Sequence, residues 1–347
     1  MPTYRPAIAS LSLGRAYAGH SLEAKLSAAG RAGFQGVECF YEDLEWHARS
    51  HVGGDNDAIS DENLLDAARD FRALADANDL EVIVLQPFMH YEGLLDLEER
   101  GRRLQKLGLW LRLVKVLGAN IIQVPSNFLA EGVTGDRLRI VEDLRILADL
   151  GGKEHPPVRF AYEGLCWGRF VDTWRGAWEV VKDVDRDNFG LCLDAFHLAG
   201  REWADPETAD GVVSDDGGAG DRFRQSMAEM ATTLDRRKVF YVQFADARKP
   251  QKPIVPGSSE WVDGQPARMT WSRRMRVFVG EEEGYLPIDP ILRAVFDPAP
   301  EGLGYTGWVS MEVFNQSLEE TDAQIVPLHA ERAQKSWMTM KQRYSLE

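Results

Sequence analysis

Cysteine is scarce in this chain of 347 residues, and the spacing of the few that occur matches no known motif. The cysteines are Cys39, Cys166 and Cys192. An odd number without a paired spacing argues against a disulfide framework and against a thiolate zinc motif. All three lie within apolar segments, so we expect buried free thiols, which are usual in proteins of a reducing compartment.

The sequence also lacks an excess of basic residues and lacks long apolar runs. Its formal net charge is −15, which argues against nucleic acid or an anionic membrane surface as a partner. A small anionic substrate is still compatible, because it needs only one or two local cations. No run of about 18 apolar residues predicts a transmembrane helix, and residues 1–10 do not resemble a signal peptide. We therefore expect a cytoplasmic protein; the sequence gives no indication of its oligomeric state.

Eight short apolar segments do recur along the chain, rich in Val, Ile, Leu and Phe. Continuous apolar runs of this kind are typical of parallel strands covered by helices on both faces. The predicted strands are 8–13, 36–40, 82–88, 120–125, 158–164, 189–197, 239–246 and 307–315. The predicted helices between them are 21–33, 61–78, 97–117, 136–150, 171–184, 221–234, 287–296 and 319–341.

Eight alternations of strand and helix predict an α/β fold, the (β/α)8 TIM barrel. The main rival, a doubly wound open sheet, more often has a Gly-rich turn after its first strand, and no GxGxxG motif follows residues 8–13. We expect one domain over residues 1–347, with long loop insertions at 205–220 and 247–273. An insertion that follows a barrel strand, as 247–273 does, is often a lid or a binding loop.

Polar groups follow four consecutive strands of the predicted barrel. Glu163, Asp194, Gln243 and Glu312 each stand among apolar residues near a strand end, and active sites of TIM barrels lie at that end. Three carboxylates that meet at one barrel mouth repel each other, and a cation removes this cost. The sequence therefore predicts one divalent metal ion held by these four residues. The alternative is that each is a separate buried group paired with an arginine or with backbone amides.

The donor atoms of this predicted set are all oxygens. Hard or borderline ions prefer such ligands, which favours Mg²⁺, Mn²⁺ or Co²⁺. Zinc is disfavoured because no histidine or cysteine belongs to the set.

Two further residues are candidates for catalysis. His197 lies three residues after Asp194, where an imidazole can act as general base or acid near neutral pH; the alternative is a histidine that caps or packs the next loop. Arg276 could bind a substrate carboxylate through two parallel hydrogen bonds. Its neighbours Arg273 and Arg274 could instead belong to a basic run that is solvated and has no role in the site.

Several residues near other strand ends are candidates for substrate binding. Gln86 and Tyr91 lie at the end of the third predicted strand, and Trp167 follows Glu163 closely enough to form a wall of the site. Glu38 ends the second strand, where we expect it to support other residues of the site.

Taken together, these residues resemble the xylose-isomerase-like barrel superfamily, and within it the 3-dehydroshikimate dehydratases of the fungal quinate-catabolic type. The resemblance extends over nearly the whole chain. The stretches that carry it are SLSLGRAYAGHS (10–21), QPFMHYEGLLD (86–96), IIQVPSNF (121–128), LCLDAFHLAGR (191–201), YVQFADA (241–247) and GYTGWVSMEVFN (304–315).

The resemblance implies a metal-dependent dehydration of 3-dehydroshikimate, a small carboxylate, to protocatechuate. It implies that Glu163, Asp194, Gln243 and Glu312 are the metal ligands and that His197 is catalytic. It also implies that Arg276 contacts the substrate, although the sequence departs from the superfamily pattern just beyond it, at 279–284.

Three alternatives share this scaffold. A ketose isomerase or epimerase would use the metal for proton transfer without elimination, and fold alone does not exclude it. A metal-dependent nuclease is disfavoured by the acidic charge. A binding protein without catalytic activity is disfavoured by four intact candidate ligands.

Overall fold

The computed structural model describes residues 4–346 except 51, 53–58 and 214–216. Eight parallel strands close into a barrel in the order β1-β10-β7-β6-β5-β4-β3-β2, and β8 and β9 form a separate antiparallel ribbon. The strands are β1 Tyr4–Ala9, β2 Gly36–Phe40, β3 Glu81–Gln86, β4 Ile121–Pro125, β5 Arg159–Glu163, β6 Phe189–Asp194, β7 Val239–Phe244, β8 Asp246–Ala247, β9 Arg276–Val277 and β10 Gly307–Met311. The predicted (β/α)8 barrel is confirmed.

Helices surround this barrel and connect its strands. They are α1 Leu22–Arg31, α2 Tyr41–Ser50, α3 Asp61–Ala77, α4 Leu97–Val116, α5 Arg137–Gly152, α6 Trp174–Val184, α7 Ala195–Glu202, α8 Ala219–Thr233, α9 Ala267–Met275, α10 Ile288–Phe296 and α11 Ile325–Tyr344. Helices α2, α7 and α9 were not predicted. The first two begin directly after β2 and β6, so no polar linker separates their sequence from that of the strand.

Side-chain caps explain where several helices begin. Ser60 and Asn63 form a reciprocal capping box at the start of α3, in which each side chain accepts a hydrogen bond from the backbone N–H of the other residue. Asp96 accepts hydrogen bonds from the first backbone amides of α4. At the other end, Gly118 has φ 73°, a left-handed conformation that stops a helix after its last turn.

Several predicted strands have different bounds in the structure; the eighth, for example, was predicted at 307–315 and ends at Met311. The first was predicted at 8–13, but β1 ends at Ala9 and a 3-10 helix follows. There Ser10 and Ser12 accept hydrogen bonds from the backbone amides of Phe40 and Val313. These bonds tie the turn to its neighbours instead of extending the sheet. The sixth strand ends at Asp194, because its carboxylate accepts the Phe196 amide and caps α7.

The two predicted insertions differ in structure. Most of α9 lies within 247–273, and the β8–β9 ribbon brackets that segment, so it is an ordered element that packs over the barrel. In the 205–220 insertion, residues 214–216 lie outside the described residues. None of the helices described here is both long and apolar enough to cross a membrane. The three cysteines are buried free thiols, as expected.

The parallel order of the barrel strands places all their C-terminal ends at one edge. The core lies on both sides of the sheet: small and apolar side chains such as Ala7, Ile121 and Ala161 fill the barrel interior, and a larger cluster lies between strands and helices. The interior packing closes the barrel below its C-terminal mouth. Polar residues at the strand ends therefore meet in one place.

A buried ion pair joins α1 to α2 beside this core. Lys25 Nζ donates to Asp43 Oδ1 at 2.7 Å, and neither side chain is exposed. Breaking such a pair from one side leaves an uncompensated buried charge, which is far more costly than losing an exposed pair.

We expect Lys25→Met to lower the free energy of unfolding by about 3–5 kcal/mol, because the buried Asp43 carboxyl group then loses the cation that it pairs with. Urea unfolding followed by circular dichroism measures this change. The control is Lys335→Met, which breaks the exposed pair with Glu331 and should cost about 0.5 kcal/mol or less. The double variant Lys25→Met/Asp43→Leu should recover much of the loss; equal losses for Lys25→Met and Lys335→Met would contradict the prediction.

Candidate active site and metal centre

The four predicted metal ligands lie together at the C-terminal mouth of the barrel. Glu163 and Asp194 are the last residues of β5 and β6, and Gln243 lies opposite Asp194 in the β6–β7 register. Glu312 follows β10 directly. All four side chains are buried, so the strand ends place their polar atoms inside the protein rather than in solvent.

Glu163, Asp194 and His197 form the tightest cluster. One ligand atom from each lies within 4.8 Å of the others. His197 Nε2 is 3.6 Å from Glu163 Oε1 and 3.5 Å from Asp194 Oδ2. Glu163 Oε1 is buried and has no hydrogen-bond partner. This cluster could hold a metal ion.

Arg276 connects Glu312 to this cluster. Its Nη1 donates to Asp194 Oδ2 at 2.7 Å and to Glu312 Oε2 at 3.2 Å, and its Nε donates to Ser272 Oγ at 3.0 Å. The guanidinium is buried and lies 4.3 Å from the Phe196 ring centre. Arg276 therefore sits at the inner end of the site, as a counter-charge to two carboxylates.

Glu38 organises the remaining polar groups. Its carboxylate accepts hydrogen bonds from Gln243 Nε2 at 2.9 and 3.1 Å, from Gln86 Nε2 at 2.8 Å and from the Ser310 hydroxyl. Gln86 Nε2 also donates to Glu312 at 2.9 Å. The expectation that Glu38 supports other site residues fits these contacts, since it bridges β3, β7 and β10.

The energetic cost of these buried acids is visible in their pKa values. Burial, and then the charges of Glu312 and Asp194, raises the pKa of Glu163 well above its usual range. Burial raises the pKa of Glu312 to about 7, although Arg276 opposes the shift. Burial and then Glu312 raise the pKa of Glu38 to about 8. A divalent cation would stabilise the ionised forms of all three, so the donor set fits a metal ion.

His197 is held in its neutral form. Burial, together with the smaller effect of the Arg276 charge, lowers the pKa of His197 to about 3, although the charge of Asp194 opposes the shift. Two N–H donors face the ring: the Cys166 amide at Nδ1, 3.1 Å away, and Arg276 Nη2 at Nε2, 3.2 Å away. A neutral imidazole can accept from one of these donors, and a doubly protonated ring could accept from neither. The surroundings therefore favour the state that a general base requires.

A cavity of about 720 Å³ opens over this cluster. Among the predicted substrate-binding residues, Gln86 and Trp167 line it, and the Trp167 ring meets His197 edge to face with centres 4.8 Å apart. Tyr91 is not among the lining residues; it is buried behind the wall, 5.8 Å from the Phe88 ring centre. Gln86 and Trp167 are thus in contact with the space that a substrate would occupy.

The mouth of the same cavity carries residues that the sequence analysis did not assign to the site. Arg103 and Lys106 on α4, and Arg273 on α9, line it together with His90. The spacing of three between Arg103 and Lys106 places them on one face of a helix, which was the available signal. That this face points to the barrel mouth depends on tertiary packing.

We expect Glu38→Ala to destabilise the site, because buried donors of Gln86, Gln243 and Ser310 lose their acceptor. Each donor left unsatisfied costs about 1–3 kcal/mol. Urea unfolding should therefore show a free energy of unfolding lowered by at least that amount. Glu38→Gln, which keeps the volume and one acceptor oxygen, should lose less; a wild-type value for Glu38→Ala would contradict the role given to Glu38.

Comparison with known proteins agrees with this architecture. Residues 26–336 match the family described as xylose isomerase-like TIM barrel. A 3-dehydroshikimate dehydratase of Neurospora crassa is 44% identical over 342 residues, which cover 97% of this chain and 93% of that protein. A protein of the same name from Pseudomonas aeruginosa is 32% identical over 295 residues, or 85% of this chain and 36% of that longer protein.

Among solved structures, a xylose isomerase-like TIM barrel/4-hydroxyphenylpyruvate dioxygenase fusion protein has a similar fold, with a TM-score of 0.72 and 25% identity. The match covers 99% of this chain and 44% of that one. The chain therefore belongs to the xylose isomerase-like TIM barrel family and, within it, to the family of the 3-dehydroshikimate dehydratases.

Proposed function

We propose that this chain dehydrates 3-dehydroshikimate to protocatechuate and water with the help of one divalent metal ion. The observation that carries the proposal is a neutral, buried His197 beside three carboxylates at the base of one cavity, in a chain related along its length to the Neurospora dehydratase. The ketose isomerase alternative is not retained, because these relatives are named dehydratases. We place the reaction in the cytoplasm, where buried free thiols are usual.

Glu163, Asp194, Gln243 and Glu312 are the proposed metal ligands. Their oxygen donors favour Mn²⁺, Mg²⁺ or Co²⁺. When bound, the metal would act as a Lewis acid toward the ketone oxygen of the substrate and favour the enolate. Since His197 also lies close to two of these residues, metal binding by a His197 variant distinguishes a ligand from a base.

The rest of the inner cavity would orient the substrate ring. Trp167 offers an aromatic wall beside His197, and Gln86 presents its amide at the cavity surface. Arg276 already donates to Asp194 and Glu312, so we propose that it acts on a substrate oxygen that gains negative charge, not on the carboxylate. Tyr91 lies behind the wall, which gives no support to a direct contact.

His197 would move the proton. Nε2 is the ring nitrogen that faces the acids. In the neutral tautomer that carries its proton on Nδ1, Nε2 would take a proton from C6, which is acidified through the conjugated enone. The carboxylates of Asp194 and Glu163, about 3.5 and 3.6 Å away, would stabilise the imidazolium formed. The same nitrogen would then return the proton to the C5 hydroxyl, which leaves as water.

The last step needs little from the protein. Elimination creates a second ring double bond, and transfer of the C4 hydrogen to the C3 oxygen completes a catechol. Aromaticity drives this rearrangement, so the enzyme's contribution is concentrated in the proton transfer from C6 and the departure of the hydroxyl.

We expect purified protein with Mn²⁺, Mg²⁺ or Co²⁺ to convert 3-dehydroshikimate to a product with the near-ultraviolet absorbance of a catechol acid. Treatment with EDTA should abolish turnover, and addition of one divalent ion should restore it. The same ion should raise the thermal midpoint, since a ligand at 100 times its Kd stabilises a fold by about 2.7 kcal/mol. A flat absorbance trace with metal-loaded protein would refute the dehydratase; full activity after EDTA would refute the metal.

We expect His197→Ala to lower kcat by about 10²- to 10⁴-fold, because positioned acid–base groups contribute that much. Metal content, measured by elemental analysis, should stay at the wild-type value if His197 is the base and not a ligand. His155→Ala is the matched control, since His155 is exposed and precedes β5 at the opposite end of the barrel. If His197→Ala turned over substrate at the rate of the control, the proposed role of His197 as the base would be wrong.

A further inference from the structure

The cavity has two ends of opposite charge. Its base is acidic, with Glu163 and Glu312 on the wall and Asp194 next to them. Its mouth carries cations, contributed by α4 and α9, in a protein whose net charge is −15. A ligand with one acidic group and several neutral oxygens would therefore experience a strong orienting field inside the cavity.

Three cations of the mouth line the same cavity as the His90 imidazole ring. Burial lowers the pKa of His90, and the charges of Arg103, Arg273 and Lys106 lower it further, whereas its contact with Asn127 opposes the shift. Because all three cations line this one cavity and act on the same ring, residues of α4 and α9 meet at its mouth. They form one site rather than separate surface charges.

These three cations differ in what already binds them. Lys106 Nζ lies 4.8 Å from the Tyr41 ring centre, and Arg103 Nε is 2.7 Å from Glu99. For Arg273, no hydrogen bond or ion pair is made with any residue of the described chain. Partial burial, and then the charge of Arg15, lower the pKa of Arg273. Arg273 therefore presents a complete guanidinium to the cavity.

The carboxylates near this mouth are engaged elsewhere. Glu42 accepts a hydrogen bond from Arg15 at 2.5 Å, and Glu319 accepts one from the Tyr17 hydroxyl at 2.9 Å. The charge of Glu45 acts on Lys106. None of these three acids forms an ion pair with Arg273 within the part of the chain that the structure describes.

We propose that Arg273, supported by Arg103 and Lys106, binds the carboxylate of the ligand and so sets the direction in which the ring enters the site. This inference rests on the proposed function. In 3-dehydroshikimate the carboxylate on C1 is directly across the ring from the C4 hydroxyl. When the C3 and C4 oxygens face Glu163 and Glu312, the carboxylate must point toward the mouth.

The opposite orientation is disfavoured by charge. A ligand carboxylate at the base would meet three buried acids, and like charges at short distance in a desolvated site repel strongly. A guanidinium at the mouth can instead form two parallel hydrogen bonds with it. Arg273 is thus a specificity-determining residue for an aromatic or cyclic monocarboxylate.

Binding of a matched pair of ligands tests this role without turnover. Protocatechuate and catechol share the vicinal hydroxyls and differ in the carboxylate. We expect Arg273→Met to weaken protocatechuate binding by about tenfold to hundredfold, the factor for a lost charge-assisted hydrogen bond. Catechol binding should be unchanged. Calorimetry on metal-loaded protein measures both affinities, and Arg273→Lys should fall between wild type and Arg273→Met.

The control is Arg237→Met, which makes the same charge change at the far end of the barrel, where the Arg237 guanidinium bonds to Asp235. It should leave both affinities unchanged. In the steady state, Arg273→Met should raise KM for 3-dehydroshikimate by the same factor as the loss of protocatechuate affinity, with kcat changed far less.

Two outcomes would overturn the inference. Equal loss of affinity for protocatechuate and catechol would make Arg273 a structural residue. No loss for either ligand would place the carboxylate elsewhere. If 3-dehydroshikimate is not turned over but Arg273→Met still removes the preference for protocatechuate, the proposed function fails and the carboxylate site stands.

Discussion

The convergence of buried carboxylates at one barrel mouth is the constraint on which the rest of the site depends. Parallel strands bring their C-terminal ends to the same edge, so Glu163, Asp194 and Glu312 cannot avoid one another. Within the described chain, Arg276 is the cation that donates directly to these acids, and it reaches two of the three. Burial, and then the charges of neighbouring acids that one arginine does not fully offset, raise the pKa values of Glu163 and Glu312.

The same constraint shapes the space above the acids. A neutral His197 is favoured there because N–H donors face its two nitrogens, and only a neutral ring can accept a hydrogen bond from one of them. During the reaction, a protonated ring would form beside the carboxylates. Burial opposes that protonation, and the charge of Asp194 would offset part of its cost. The acidic base and cationic mouth of the cavity then act on the ligand as a whole, so that orientation and chemistry follow from one distribution of charge.

Much of the fold could be predicted from the sequence, since buried parallel strands appear as continuous apolar segments. The errors have local causes. The predicted first strand, 8–13, begins four residues after β1 does, because Arg5 and Pro6 interrupt the apolar pattern of β1. Helices α2 and α7 were missed because each follows its strand without a linker.

The site could be predicted in part. The rule that active groups follow barrel strands found the four proposed ligands, and it also marked Glu38. Tyr91 was placed near the cavity by its distance from β3 along the chain, whereas the chain turns its ring onto Phe88. Arg273 was left with a solvated basic run as its alternative, because only the packing of α9 across the mouth separates it from an ordinary surface arginine.

That packing has a further consequence. Arg273 lies in the last turn of α9, and Arg276 follows that turn at the start of β9, with its Nε bonded to Ser272. Three residues of helix rise about 4.5 Å, so one stiff turn of backbone separates the guanidinium at the mouth from the guanidinium among the acids. This turn fixes the distance between the two guanidinium groups. If Arg273 binds the carboxylate as proposed, this fixed spacing would select acids whose carboxylate and reacting oxygens lie on opposite sides of one ring. It would exclude acids with a longer spacer between these groups.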